Sequence, residues 1–457
     1  MARGAETLVM EIFGSSGVRG VANEYLNPEF VTHIATAAGS VWDADRVALA
    51  RDTRATGEML SNAAAAGLAS AGCDVDRLGV LPTPGLQAYC EAEGTPGLMV
   101  TASHNPPAYN GVKLVGADGV ELPTGTLERV EERLLTEEFE TVPWSETGDE
   151  RRVEDAADRY VDQLLAAVDG DRVADADLTV ALDPGHGAGA ATSPRVFREL
   201  GCEVVTVNAQ PDGRFPGRDP EPVAENLADL GRLVRTTDAD LGVAHDGDAD
   251  RARGVAADGS FLSGDVLLAV LAAASTSAGD RVAVPVDTSL AVEDFLADRG
   301  VETTRTPVGD VHVAAEVAAG AAFGGEPSGA WIWPDETLCP DGPLAAVRLA
   351  ELAAERPLAE RAAAVPTYPI RRDSLRATDK RAVMDRVRGA VVERYEDVST
   401  MDGLRVATDD GWFLLRASGT QPLVRVTAEA RDPGRAEDLF ETAQSLVVDA
   451  GAETREG

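Results

Sequence analysis

Lysine is almost missing from this chain: only Lys113 and Lys380 are lysines among its 41 basic residues. Aromatic residues make up 5%, and there are five histidines and four cysteines. Each scarcity excludes something. The cysteines (Cys73, Cys90, Cys202, Cys339) lie far apart without a C-x-x-C pair. That argues against a zinc site or disulfide framework and predicts buried free thiols in a reducing compartment. Apolar runs such as VLLAVLAAA fall well short of the roughly 20 residues that cross a bilayer. MARGAETLVMEIFG has no charged leader followed by an apolar core, so a cytoplasmic location is expected. Positive charge is short overall: 78 acidic residues give a net charge of -37, which argues against nucleic acid or anionic membranes as partners. The acids run along the whole chain, as on a surface adapted to high salt, where screening shortens repulsion. A chain that has otherwise exchanged lysine for arginine keeps Lys113 where a titratable amine is wanted.

What is present is ample for a folded protein. A length of 457 residues, 44% of them hydrophobic, predicts about three or four domains. Three segments share one pattern: RVALARDTR around Asp52, LTVALDPGHGAG around Asp183 and RVAVPVDTS around Asp287. In each, an apolar strand ends in aspartate and a helical stretch leads to a second strand. Such alternation predicts buried parallel sheet with right-handed crossovers, in three copies of one α/β unit. The last 90-odd residues read differently. DKRAVMDRVRGAVVERY is an amphipathic helix and GLRVATDDGWFLLR a hairpin turning at Asp409–Gly411, which makes an antiparallel α+β module. The expected domains are 1–147, 148–253, 254–364 and 365–457.

Four loops carry the chemistry. TASHNP sets Ser103 beside His104, although an Asn-Pro turn whose serine bonds only backbone is an equal reading of that piece alone. No G-x-S-x-G nucleophile elbow is present. In AHDGDADR, Asp246, Asp248 and Asp250 alternate after the strand DLGVA, so one turn can aim three hard oxygens at a cation such as Mg²⁺. An EF-hand is excluded, because its sixth position would be Arg251 and its twelfth Ala257. FGGEPSG brings Glu326 and Ser328 onto a glycine-flanked turn suited to sugar hydroxyls, or to nothing more than a solvated turn. In LLRASGTQPLVRV, Arg416, Ser418, Gly419, Thr420 and Arg425 surround a small turn able to nest a phosphate. IFGSSGVRG places Arg19 behind a glycine loop, a phosphate clamp or a simple turn. His33, His186 and His312 read as structural, and His245 as a support of the aspartate loop.

Together, FGSSGVRG, TASHNPPAYNGVK, DGDADR, GEPSG and RASGTQP resemble, in order and over nearly the whole chain, the α-D-phosphohexomutase family. The resemblance implies three repeated α/β mixed-sheet domains and a C-terminal α+β domain around a central cleft. It implies that Ser103 carries a covalent phosphate and that Asp246, Asp248 and Asp250 bind one Mg²⁺, with a phosphoserine oxygen completing the set. Arg19, His104 and Arg251 would line that site, with Lys113 the acid/base and its pKa lowered by neighbouring cations. Glu326 and Ser328, with Gly309 and Asp310 in TPVGDVHV, would hold the sugar. Arg416, Ser418, Gly419, Thr420 and Arg425 would hold the non-reacting phosphate. The implied reaction interconverts hexose 6-phosphate and hexose 1-phosphate through a 1,6-bisphosphate that turns over between two transfers. Many relatives carry histidine where this chain has Ala330, which shifts acid/base work toward Lys113. GEPSGAWI followed by CPDG looks most like archaeal-type phosphoglucosamine mutases, so glucosamine phosphate is the expected substrate and mannose or glucose phosphate the alternative. A phosphoserine-dependent sugar phosphatase is a further alternative, disfavoured by the phosphate nest. Oligomeric state is left open.

Overall fold

The computed structural model describes residues 12–14, 17–418 and 422–452. The first sheet has six strands: β1 (Val18–Val21), β2 (Arg46–Arg51), β3 (Asp74–Val80), β4 (Gly97–Val100), β5 (Tyr109–Val115) and β6 (Glu150–Arg152). Their order is β1-β5-β4-β2-β3-β6. The second holds β7 (Thr179–Asp183), β8 (Glu203–Thr206), β9 (Leu241–His245) and β10 (Ala252–Ala256), ordered β10-β9-β7-β8. The third holds β11 (Arg281–Pro285), β12 (Glu302–Thr306), β13 (Phe323–Gly325) and β14 (Trp331–Ile332), ordered β12-β11-β13-β14. The fourth holds β15 (Ile370–Arg376), β16 (Val398–Ser399), β17 (Leu404–Thr408), β18 (Gly411–Ala417) and β19 (Leu423–Ala430), ordered β15-β19-β18-β17-β16.

The three repeated segments each fold in the same way. β2–β3, β7–β8 and β11–β12 are parallel pairs, each joined by a helix: Gly57–Ser70, Ser193–Glu199 and Leu290–Ala297. Strands such as β2 and β9 are buried on both faces, which is why they read as continuous apolar runs. The fourth sheet is antiparallel at each of its strand pairs, with the Thr408↔Gly411 hairpin where Asp-Asp-Gly supplies the turn. All four cysteines are buried and none is in a disulfide. Among the described residues no helix is long and apolar enough to cross a membrane.

Two compact units contain these sheets: Met1–Leu262 with Gly329–Trp331 and Asp335–Ala359, and Ser263–Ser328 with Ile332–Pro334 and Glu360–Gly457. Three expected boundaries shift. Residue 147 falls inside the first sheet, because β6 pairs with β3. β6 is an exposed edge strand without apolar alternation, so ETVPWSETGDERR reads as linker. Residue 253 falls inside β10, whose ladder with β9 runs to Ala256↔Leu241. Residues 335–359, expected in the third domain, pack in the first unit, where Tyr160 donates to Asp341 Oδ1 at 2.7 Å. The helix they form, Gly342–Glu355, is capped by Asp341, which accepts from Leu344 N.

Candidate active site

β4 is buried along its length and delivers the serine loop at its carboxyl end, where open α/β sheets bind ligands. Thr101 Oγ1 donates to Asp52 Oδ2 (2.8 Å) and accepts from Ser103 N (2.9 Å). Ser103 is fully buried with φ at 46°, a left-handed conformation that costs energy for a residue with a Cβ. Its Oγ donates to Asp246 Oδ2 at 2.6 Å and lies 3.3 Å from His104 Nδ1. Burial, with Arg251 and Arg19 nearby, lowers the pKa of His104 to about 3, so the ring is neutral at pH 7. Arg19 donates to Asn105 Oδ1 at 2.9 Å.

The aspartate loop is the turn between β9 and β10. Asp246, Asp248 and Asp250 are buried, and one oxygen of each lies within 4.8 Å of the others. Their outer oxygens are engaged. Asp246 Oδ1 accepts from Arg251 N (3.2 Å), Asp248 Oδ2 from Thr83 Oγ1 (2.6 Å) and Asp250 Oδ2 from Lys113 Nζ (2.8 Å). Asp248 Oδ1 and Asp250 Oδ1 are buried without any hydrogen-bond donor. Burial, then Asp250 and Asp248, push the pKa of Asp246 up, whereas Lys113 and Arg251 overcome burial to hold Asp250 down. Orphaned carboxylate oxygens converging beside a serine Oγ fit a hard divalent cation, which would satisfy them and cancel their repulsion.

Lys113 sits on β5, 2% exposed, in contact with Asp250 (2.8 Å), Glu121 (3.2 Å) and Asp248 (3.9 Å). These partners are carboxylates, where the family resemblance implies neighbouring cations: Glu121 lies just beyond β5 in the chain, but Asp250 comes from 137 residues away and reaches Lys113 only on folding. His245 supports the aspartate loop as expected, with Nδ1 3.0 Å from Arg251 O and Nε2 2.9 Å from Ser193 Oγ. Burial lowers its pKa to about 4.

Four residues outside the sequence reading complete the arrangement. Thr83 orients Asp248, as above. Gly247 approaches the serine loop so closely that a Cβ there would lie 2.5 Å from Ser103 O. Arg54, fully buried, bonds Asp52 and four carbonyls of the serine loop. Arg218 bonds Asp183 and, at 2.6 Å, the carbonyl of His245 at the head of the aspartate loop. Only Arg54 left a local trace, in D-x-R directly after a strand; the others answer to partners distant in sequence.

In the second unit the sugar and phosphate candidates share one network. Glu326 accepts from Gly309 N (2.8 Å) through Oε1 and from Ser328 Oγ (3.2 Å) through Oε2. The next residue back, Val308, donates its N–H to Asp402 Oδ2 at 3.1 Å, and Asp402 pairs with Arg416 at 3.0 Å. Asp310 opens the helix Asp310–Ala318 and accepts from Val311 N. Arg416 and Arg425 stand directly opposite on β18 and β19. Ser418 is buried, with its carbonyl held by Lys380. Gly419 and Thr420 lie outside the described residues.

Comparison with known proteins decides the family. The description "Phosphoglucomutase/phosphomannomutase, alpha/beta/alpha domain I" matches residues 10–141, and domains II, III and the C-terminal domain match 158–259, 263–368 and 344–444. The chain belongs to the phosphoglucomutase/phosphomannomutase family. A probable phosphoglucosamine mutase of Methanopyrus kandleri is 44% identical over 97% of this chain and 99% of its own. A phosphoglucomutase/phosphomannomutase of Thermococcus kodakarensis is 37% identical over 96% and 99%. A family structure from Burkholderia thailandensis superposes with a TM-score of 0.86 at 29% identity, covering 97% of this chain and 98% of that one. As a phosphohexomutase the chain is an isomerase that transfers phosphoryl groups within hexose phosphates.

Proposed function

We propose that this phosphohexomutase is a phosphoglucosamine mutase, interconverting glucosamine 6-phosphate and glucosamine 1-phosphate through a phosphoserine at residue 103 and a 1,6-bisphosphate. The strongest support is the 2.6 Å contact between Ser103 Oγ and Asp246 in a triad with two orphaned carboxylate oxygens. Asp246, Asp248 and Asp250 would hold Mg²⁺, which supplies charge neutralisation to the transferring phosphoryl group. Arg251 and Arg19 add positive charge around the serine loop. Neutral His104 is in hydrogen-bond range of Ser103 Oγ. Lys113 would exchange the proton with the reacting sugar hydroxyl. As the sugar O–P bond forms, the Ser103 Oγ–P bond breaks; after the bisphosphate turns over, the second transfer runs the other way and restores the phosphoserine.

Glu326, Ser328, Gly309 and Asp310 would bind sugar hydroxyls, and Arg416, Ser418, Gly419, Thr420 and Arg425 the idle phosphate. Like charges directly opposite on adjacent strands are unfavourable, and an anion held between Arg416 and Arg425 would offset that repulsion. The glucosamine assignment leans on the Methanopyrus kandleri relative's name and on the GEPSGAWI and CPDG forms. The Thermococcus kodakarensis relative's name supports mannose and glucose phosphates as the second reading. A coupled assay comparing the three hexose 6-phosphates with Mg²⁺ tests both; a higher kcat/KM on mannose or glucose 6-phosphate overturns the glucosamine assignment. Intact-mass measurement should find one phosphate that Ser103→Ala loses, along with at least about 10³-fold in turnover. A cytoplasmic, salt-adapted enzyme acting on small molecules completes the reading.

A further inference from the structure

We infer that two buried aspartate–arginine pairs, Asp52–Arg54 and Asp183–Arg218, are positioning clamps that set the serine loop against the aspartate loop; the inference rests on the mutase reading above. The two aspartates occupy equivalent places, each at the carboxyl end of the first strand of its repeat, while Arg54 follows its aspartate by 2 residues and Arg218 by 35. Arg54 has no exposed side-chain surface and turns both terminal nitrogens onto the serine loop. Nε bonds Asp52 (3.0 Å), one terminal nitrogen the carbonyls of Pro106 (2.8 Å) and Tyr109 (2.9 Å), and the other those of Ser103 (2.8 Å) and Asn105 (2.6 Å). Asp52 completes the ring through Thr101, whose hydroxyl also receives Ser103 N. Held at the carbonyl and the N–H, Ser103 keeps its left-handed φ.

The same segment reaches the second sheet's loops. Arg54 lies over the Phe215 ring (5.2 Å to its centre), Thr53 donates to His186 O (2.9 Å), and Arg54 bridges to Gly213. On that side Arg218 Nε bonds Asp183 Oδ2 at 2.9 Å, and its terminal nitrogens grip the carbonyls of Asp183, Asp219, Pro220 and His245. His245 directly precedes Asp246. A buried ion pair is weak evidence for stability, since desolvation consumes most of its Coulomb gain; a fork that specifies four carbonyls defines position. Lysine cannot reproduce it.

The test compares the full-length wild-type enzyme with Arg54→Lys, Asp52→Asn and Arg218→Lys. It uses circular dichroism and melting for the fold, steady-state kinetics on the preferred hexose 6-phosphate, and the rate of single-turnover phosphate transfer off Ser103. Folded Arg54→Lys should lose about 100-fold or more in kcat and in the single-turnover rate while KM moves less than about threefold. Asp52→Asn and Arg218→Lys should fall in the same direction by at least tenfold. Any of the three, folded, with kcat within threefold of wild type overturns the clamp at that position. Failure of all three to fold assigns the pairs a purely structural role and also overturns it. If the wild-type enzyme carries no phosphate on Ser103 and shows no mutase turnover, it is the mutase reading that falls.

Discussion

Asp246 accepts hydrogen bonds at both oxygens and Asp248 and Asp250 at one each, and for Asp248 the donor is the Thr83 hydroxyl at 2.6 Å. A hydrogen bond to a charged group contributes about 1.5–3 kcal/mol, much of it orientation of the carboxylate here. Thr83→Val keeps the shape and removes the donor, so Mg²⁺ affinity should weaken by about 10–100-fold with little change in melting temperature. Isothermal titration with Mg²⁺ reads this directly. Lys113→Met removes the cation that Asp250 and Glu121 share. Removing one partner of a buried charge pair costs about 3–5 kcal/mol, so the variant should melt well below wild type without metal and recover much of the difference in Mg²⁺. Its turnover should fall far more than its phosphate affinity. A variant equally stable with and without Mg²⁺ would contradict the shared-charge reading of Lys113.

At the level of elements, the helix Gly342–Glu355 carries its own pH dependence. Burial raises the pKa of its cap, Asp341, to about 6, against an ordinary value of 3.8. Its folded pKa lies above the unfolded one, so the folded state favours the protonated form. Stability from this group is therefore full below about pH 4 and declines as pH rises to about 6. Two pK units correspond to about 3 kcal/mol. Asp341→Asn keeps an acceptor for Leu344 N and Tyr160 and should flatten that interval in a melting-temperature series from pH 4 to 7. The same helix start touches the site. Gly342 packs so that a Cβ would lie against the carbonyls of Ala249 and Arg251. Gly342→Ala should therefore displace the aspartate loop and lower Mg²⁺ affinity. Nothing in CPDG announces this, because the contact joins segments some 90 residues apart in sequence.

For the molecule as a whole, a net charge of -37 predicts a steep response to salt. Raising KCl from about 0.1 M to about 1 M contracts the screening length from about 10 Å to about 3 Å, so the melting temperature should climb; a flat or falling curve contradicts salt adaptation. The repeats, the antiparallel last module and the functional loops were legible because each is local. A buried strand writes a continuous apolar run, a turn writes glycine and aspartate, and a metal or phosphate loop concentrates its residues within a few positions. The three aspartates stand out in such a pattern, whereas TASHNP by itself reads equally as a plain turn and Ser103 is singled out by the family resemblance. What folding added depends on side chains meeting across long separations: Thr83 on Asp248, Arg54 on the Ser103 carbonyl and Asp250 on Lys113. It also set the sheet boundaries, since β6 declares itself only by pairing with β3. Local propensity and periodicity are properties of neighbouring residues and can be read along the chain. The orientation of a carboxylate and the clamping of a strained serine are set by distant donors, and they exist only once the sheets have brought those donors within hydrogen-bond reach.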